Sequence, residues 1–152
     1  MTVTSALQFC NWAHFACHAV TATSPSNSHL LLYDHEQRPL TAGAISRLRL
    51  DTAVLAYLSA CHTAVSTTDL VDEVIHIASA FHMAGYPRVV GTLWAVEDSA
   101  AATIAELFYD EVMRGVPDPR HAPAALRDVL VRMRREHPNR PSCWASHVHI
   151  GI

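Results

Sequence analysis

Two short stretches of the chain combine a thiol with an imidazole. The tripeptide Ala-Cys-His occurs at residues 16–18 and again at residues 60–62. A cysteine thiolate is a nucleophile, and a histidine within reach of it can act as the acid or base that nucleophilic catalysis needs. The residues alone leave two pairings open, His18 with Cys61 and Cys17 with His62.

A predicted buried strand comes directly before the second stretch. Residues 53–59 are apolar or small, and the run is too short for a free-standing helix, so it predicts a strand buried on both faces. Such a strand belongs to a parallel sheet, whose reactive groups lie beyond the carboxyl ends of its strands. Residues 7–17 form a second apolar run that can hold a short strand and that stops at His18. The intervening segment is long enough for a crossover connection, so if the two strands are neighbours, an imidazole and a thiol meet at one edge.

The rest of the chain alternates predicted strands and helices. The further strands are expected at residues 29–33, 88–94 and 144–150, the last of them an edge strand. The helices are expected to begin at Thr41, near Val71, at Asp98 and at Pro123, with Thr41 and Asp98 as caps and Gly85 ending the second helix. This order favours an α/β fold in which helices flank a mostly parallel sheet.

The composition narrows the class of protein. The chain has 152 residues, of which 50% are hydrophobic and 16% charged, and its net charge is -3 without a run of like charge. We therefore expect a single globular domain over residues 1–152 and no nucleic-acid partner. No apolar run is long enough to cross a bilayer and no secretion signal is visible, so we expect no membrane partner and a cytoplasmic location. The four cysteines would stay reduced there.

A metal site is the other chemistry that cysteine and histidine could support. Adjacent Cys and His ligands diverge, and neither C-x-x-C nor H-E-x-x-H occurs in the chain, so we expect no metal. His14 is expected to be a core or hydrogen-bonded strand residue. His147 and His149 alternate on one side of the last strand, where a chance pair is the simpler explanation.

Four ordered segments carry a family resemblance. They read HFACHA at 14–19, LSACHT at 58–63, DEVIHIASAFHMAG at 72–85 and RVVGTLWAVED at 88–98. Their order and spacing resemble the CHAT domain, a relative of caspases and separases. The resemblance implies a caspase-like three-layer sandwich and a cysteine endopeptidase that cleaves a protein or peptide substrate without a cofactor. It also implies that His18 is the acid-base and Cys61 the nucleophile, while backbone N–H groups near Ala19 and at Cys61 receive the oxyanion.

Two departures from the family pattern support a second expectation. The family has Gly after the catalytic His, where this chain has Ala19, and a Cβ would distort the oxyanion site if that position needs a positive φ. We also expect residues 1–152 to correspond to the C-terminal larger part of the family's domain, without its N-terminal part. The alternative is therefore a catalytically inactive scaffold that binds a tetratricopeptide-repeat or other signalling partner. In the active case, Asp34 and Asp69 are candidates for a pocket that accepts a basic substrate side chain.

Overall fold

The computed structural model describes residues 2–59, 61–62 and 70–152, except for the side chains of residues 61, 62 and 70–74. The strands are β1 (Trp12–Phe15), β2 (His18–Val20), β3 (His29–Leu31), β4 (Leu40–Thr41), β5 (Leu55–Leu58), β6 (Cys61–His62), β7 (Arg88–Thr92) and β8 (His147–Gly151). The α-helices are α1 (Val3–Leu7), α2 (Ala42–Ile45), α3 (Leu70–Ala84), α4 (Asp98–Val112) and α5 (Ala122–Glu136).

The main sheet has the strand order β1-β5-β7-β8. β1, β5 and β7 are parallel, and β8 pairs antiparallel with β7 at the edge. All four residues of β5 are at most 1% exposed, because neighbouring strands cover its edges and helices cover both of its faces. The predictions of a fully buried central strand and of an edge strand near the end of the chain are confirmed.

Alternate residues of β5 belong to two different core clusters. Ala56 and Leu58 pack with α2 and α3 on one face of the sheet, whereas Leu55 and Tyr57 pack with α4 and α5 on the other. The sheet is therefore the middle of three layers. This confirms the expected caspase-like sandwich of a mainly parallel sheet flanked by helices.

A second, smaller sheet continues from the main one. Its strand order is β4-β3-β2-β6, in which β2 is antiparallel to β3 and parallel to β6. The expectation that His18 ends the first strand is wrong, because β1 ends at Phe15 and His18 begins β2 in the second sheet. The apolar run 7–17 is uninterrupted in sequence, so its hydrophobicity did not reveal the two-residue step between the sheets.

The predicted helix starts lie within one residue of those in the structure. Thr41 caps α2, accepting a hydrogen bond from the backbone N–H of Ala44 at 3.0 Å. Gly85 follows α3 directly, as expected. The N-cap position of α4 is Glu97, and Asp98 is the first helical residue, so the assignment of Asp98 as the cap was wrong by one residue.

Within the described residues, no helix combines the length and the apolar character that a bilayer span requires.

Gly85 is required for the turn between α3 and β7. Its φ is +127°, and a Cβ there would lie 2.6 Å from the backbone oxygen of Leu50. Gly115 after α4 has φ +73°, but a Cβ there would meet nothing within 4 Å.

We expect Gly85→Ala to lower the free energy of unfolding by about 2 to 4 kcal/mol, since backbone strain and steric overlap add, and Gly115→Ala by only about 1 to 2 kcal/mol. Urea unfolding measures both, and equal losses would contradict this account.

His147 in β8 makes stability depend on pH. Burial lowers its pKa to about 4, and its Nδ1 lies 2.9 Å from the hydroxyl oxygen of Ser146. In the unfolded chain this histidine has an ordinary pKa near 6.5 and binds a proton below that pH, whereas in the folded chain it stays neutral down to about pH 4. The stability present above pH 6.5 is therefore lost as the pH falls. We expect this residue to remove about 2 kcal/mol of unfolding free energy between pH 7 and pH 5.

The variant His147→Gln tests that dependence by urea unfolding at both pH values. The matched control is His137→Gln, since His137 is exposed at the end of α5. The pH dependence should shrink in the first variant and persist in the second. An unchanged dependence in His147→Gln would refute the assignment.

Candidate active site

The two predicted catalytic positions lie opposite each other in neighbouring strands. β2 and β6 run parallel, and His18 pairs in register with Cys61 while Ala19 pairs with His62. Paired strands lie about 4.8 Å apart, so the backbones at residues 18 and 61 are direct neighbours. The predicted side-by-side, parallel arrangement of the two segments is confirmed, whereas the side chain of Cys61 lies outside the described part of the chain.

A cavity of about 400 Å³ opens beside His18, between the connection from β1 to β2 and the first two turns of α4. Its polar lining consists of imidazole, thiol, hydroxyl and carboxylate groups, and the rest of its described wall is alanine. The lining residues are His14, Ala16, Cys17, His18, Ser59, Asp98, Ala101, Ala102 and Ala105. This cavity, defined by these nine residues, is called the His18 cavity below.

His14 and Ser59 connect two neighbouring strand ends on the wall of the His18 cavity. His14 Nε2 lies 3.2 Å from Ser59 Oγ, and its ring packs at 4.9 Å from that of Tyr57 and 5.6 Å from that of Tyr109. Partial burial against these groups lowers the pKa of His14, so the ring is neutral at pH 7. The expectation that His14 is a hydrogen-bonded strand residue is confirmed.

Cys17 also lines the His18 cavity, but its thiol is not activated. Burial raises the pKa of Cys17 to about 11, so thiolate is scarce at neutral pH. The backbone position opposite His62 is Ala19, not Cys17. Of the two pairings that the sequence leaves open, only residues 18 and 61 are direct partners in the ladder.

The raised pKa of Cys17 predicts that its thiol is alkylated slowly. At pH 8 about one thiol in a thousand is ionised when the pKa is 11, and the rate should rise about tenfold per pH unit towards that value. Peptide mapping after iodoacetamide treatment measures it, with the exposed Cys10 as internal comparison. Alkylation of Cys17 at pH 7 as fast as that of Cys10 would contradict a buried, protonated thiol.

Of the two acidic residues predicted to line a substrate pocket, the structure describes only Asp34. Asp34 belongs to the turn after β3 and lines a different cavity of about 160 Å³, next to α1. Its backbone oxygen accepts hydrogen bonds from the N–H groups of Gln37 and Arg38. Asp69 lies outside the described residues. The structure thus gives no support for a shared pocket of Asp34 and the catalytic pair.

The sequence pattern did not reveal that α4 forms part of the site. Asp98 was interpreted only as a helix cap, yet it lies on the wall of the His18 cavity. A usable signal was present: β7 ends at Thr92, and the next helix begins six residues later at the carboxyl edge shared by the parallel strands. Among the described residues, no group of three or more His, Cys, Asp or Glu side chains could hold a metal ion.

The mainly parallel sheet between two helical layers defines a caspase-like sandwich. A family model of the CHAT domain matches residues 2–152, almost the whole chain. The chain therefore belongs to the CHAT domain family, as the four sequence segments indicated. A comparison with curated proteins finds no match.

Proposed function

We propose that this CHAT domain is a caspase-like cysteine endopeptidase that cleaves a partner protein, with Cys61 as nucleophile and His18 as acid-base. The observation that supports it most is the parallel pairing of residue 18 with residue 61. Positions that are opposite each other in neighbouring strands share one face of a sheet, as a nucleophile and its acid-base must. The exposed position of His18 at the mouth of a cavity leaves room for a peptide beside it.

The reaction has two steps. The Cys61 thiol gives its proton to His18, its sulfur attacks the carbonyl carbon of the scissile peptide bond, and the π electron pair moves to the carbonyl oxygen. When the C–N bond breaks, His18 gives a proton to the leaving amine, and a thioester remains on Cys61. Water then attacks the thioester while His18 accepts its proton. The C–S bond breaks, the carboxylic acid leaves, and His18 returns the proton to the Cys61 sulfur. No group outside the chain is needed to balance the protons.

Backbone N–H groups complete the proposed site. The negative charge that develops on the carbonyl oxygen requires fixed donors, and we assign that part to N–H groups near Ala19 and at Cys61. Ala19 is only 1% exposed and lies in β2 between β3 and β6, so the ladders fix the backbone that flanks the proposed donors, which are N–H groups that the ladders do not use. Donors on such a rigid element need little reorganisation during the reaction.

A catalytically inactive scaffold is the second candidate. Ala19 favours it, because the family's pattern has Gly after the histidine and the Ala19 side chain is fully enclosed. In that case the same fold would bind a tetratricopeptide-repeat or other signalling partner without cleaving it. The two candidates differ in one measurable property, the reactivity of Cys61.

Labelling by a peptidyl electrophile over pH 6 to 9 tests the assignment. We expect the wild-type chain to be labelled and to hydrolyse peptides, Cys61→Ala to lose both reactions, and His18→Asn to lower kcat/KM by about 100- to 10,000-fold because proton transfer is lost. The control is Cys10→Ala, which removes an exposed thiol remote from the His18 cavity and should change neither reaction. Undiminished labelling of Cys61→Ala would refute the nucleophile, and a wild-type chain that is never labelled would favour the scaffold.

A further inference from the structure

The His18 cavity has an unusual balance of charge. Asp98 is the one carboxylate among its described lining residues, and no arginine lines it there; the chain contains no lysine. Of the other polar groups, His14 is neutral and Cys17 is protonated at pH 7, for the reasons given above. Apart from the proposed acid-base, the described wall therefore presents a single negative charge.

Among the described residues, no cation compensates the carboxylate of Asp98, in contrast to that of its neighbour Glu97. Glu97 is one residue away, but the Arg140 guanidinium lies 3.0 Å from its carboxylate and the Ser99 hydroxyl donates to it at 2.8 Å. Within the described residues, the Asp98 side chain has no corresponding hydrogen bond or ion pair. The start of α4 supplies only about half a positive charge, so the helix end and Asp98 together remain negative.

The remaining wall suits a long aliphatic stem. Ala101, Ala102 and Ala105 on α4 project no side chain beyond Cβ, and Ala16 is on the opposite side with the β1–β2 connection. A cavity of about 400 Å³ with small apolar walls and one carboxylate accommodates a side chain that is apolar along its length and cationic at its end.

From this arrangement we propose that the His18 cavity binds an arginine or lysine side chain of the substrate through Asp98. The inference rests on the proposed endopeptidase function. The cavity adjoins the proposed acid-base His18, so the side chain that enters it belongs to the residue whose carbonyl carbon Cys61 attacks. Asp98 is then the residue that determines specificity at this position.

Matched peptides test the charge directly. Peptides that differ only at this residue carry arginine or its neutral analogue citrulline, and lysine or its neutral analogue norleucine. We expect kcat/KM to be about 10- to 100-fold higher for the cationic member of each pair, which is the range of a charge-assisted hydrogen bond in a partly enclosed site. In Asp98→Asn the preference should vanish, and in Asp98→Arg it should reverse towards a glutamate peptide.

Two control variants separate charge and space from general damage. Glu97→Gln removes a carboxylate from the same helix end but outside the described lining of the cavity, and it should keep the preference for arginine. Ala102→Leu fills the cavity from an exposed position of α4 and should reduce cleavage after arginine more than after alanine, whereas Thr103→Leu, the next residue along, should not. Circular dichroism confirms that each variant is folded.

A binding measurement keeps the inference testable if catalysis is absent. In Cys61→Ala, which cannot cleave, the arginine peptide should bind at least about tenfold more tightly than the citrulline peptide, and the difference should require Asp98. Labelling of wild-type Cys61 without any charge preference would overturn the inference and leave the endopeptidase standing. No labelling, but Asp98-dependent binding of arginine, would overturn the endopeptidase and retain the basic-side-chain site. The absence of both labelling and selective binding would overturn the inference and the endopeptidase function together.

Discussion

The site depends on one backbone register that is kept across two sheets. Residues 12–15 pair with residues 55–58 in the main sheet, and residue 18 pairs with residue 61 in the second sheet, so the same offset of 43 residues holds in both. The offset survives because each chain segment takes two residues to step from one sheet to the other. A slip of one residue would bring Cys17 opposite Cys61 and His18 opposite His62, and no thiol would have an imidazole as its ladder partner.

The core holds this register in place. β5 is enclosed on both faces and along both edges, so any shift relative to β1 would move a whole row of apolar side chains out of its cluster. Tyr57 illustrates the coupling between core and site, because its buried ring contacts His14 on the cavity wall and lies 6.2 Å from the ring of His147 in the edge strand β8. The backbone ladder and the side-chain packing thus favour the same alignment.

The environment gives similar side chains different chemistry. Burial keeps Cys17 protonated although it lines the His18 cavity, whereas Glu97 and Asp98, adjacent on α4, differ in whether a guanidinium neutralises them. Residue type alone would have made the carboxylates of Glu97 and Asp98 equivalent candidates. What separates them is the guanidinium of Arg140, which comes from a distant part of the chain.

The sequence by itself determined the layered α/β class, the buried strand at residues 55–58, the helices α2 to α5 within a few residues, and the family. These features follow from local periodicity, capping residues and four short motifs, which a single chain displays without reference to its partners. Only the tertiary structure decided that His18 begins a second sheet, that Asp34 lines another cavity, and that Asp98 lies on the wall beside His18. Those relations join residues far apart in the chain through ladder register and packing, and hydrophobic patterns specify which residues are buried but not which of them become neighbours.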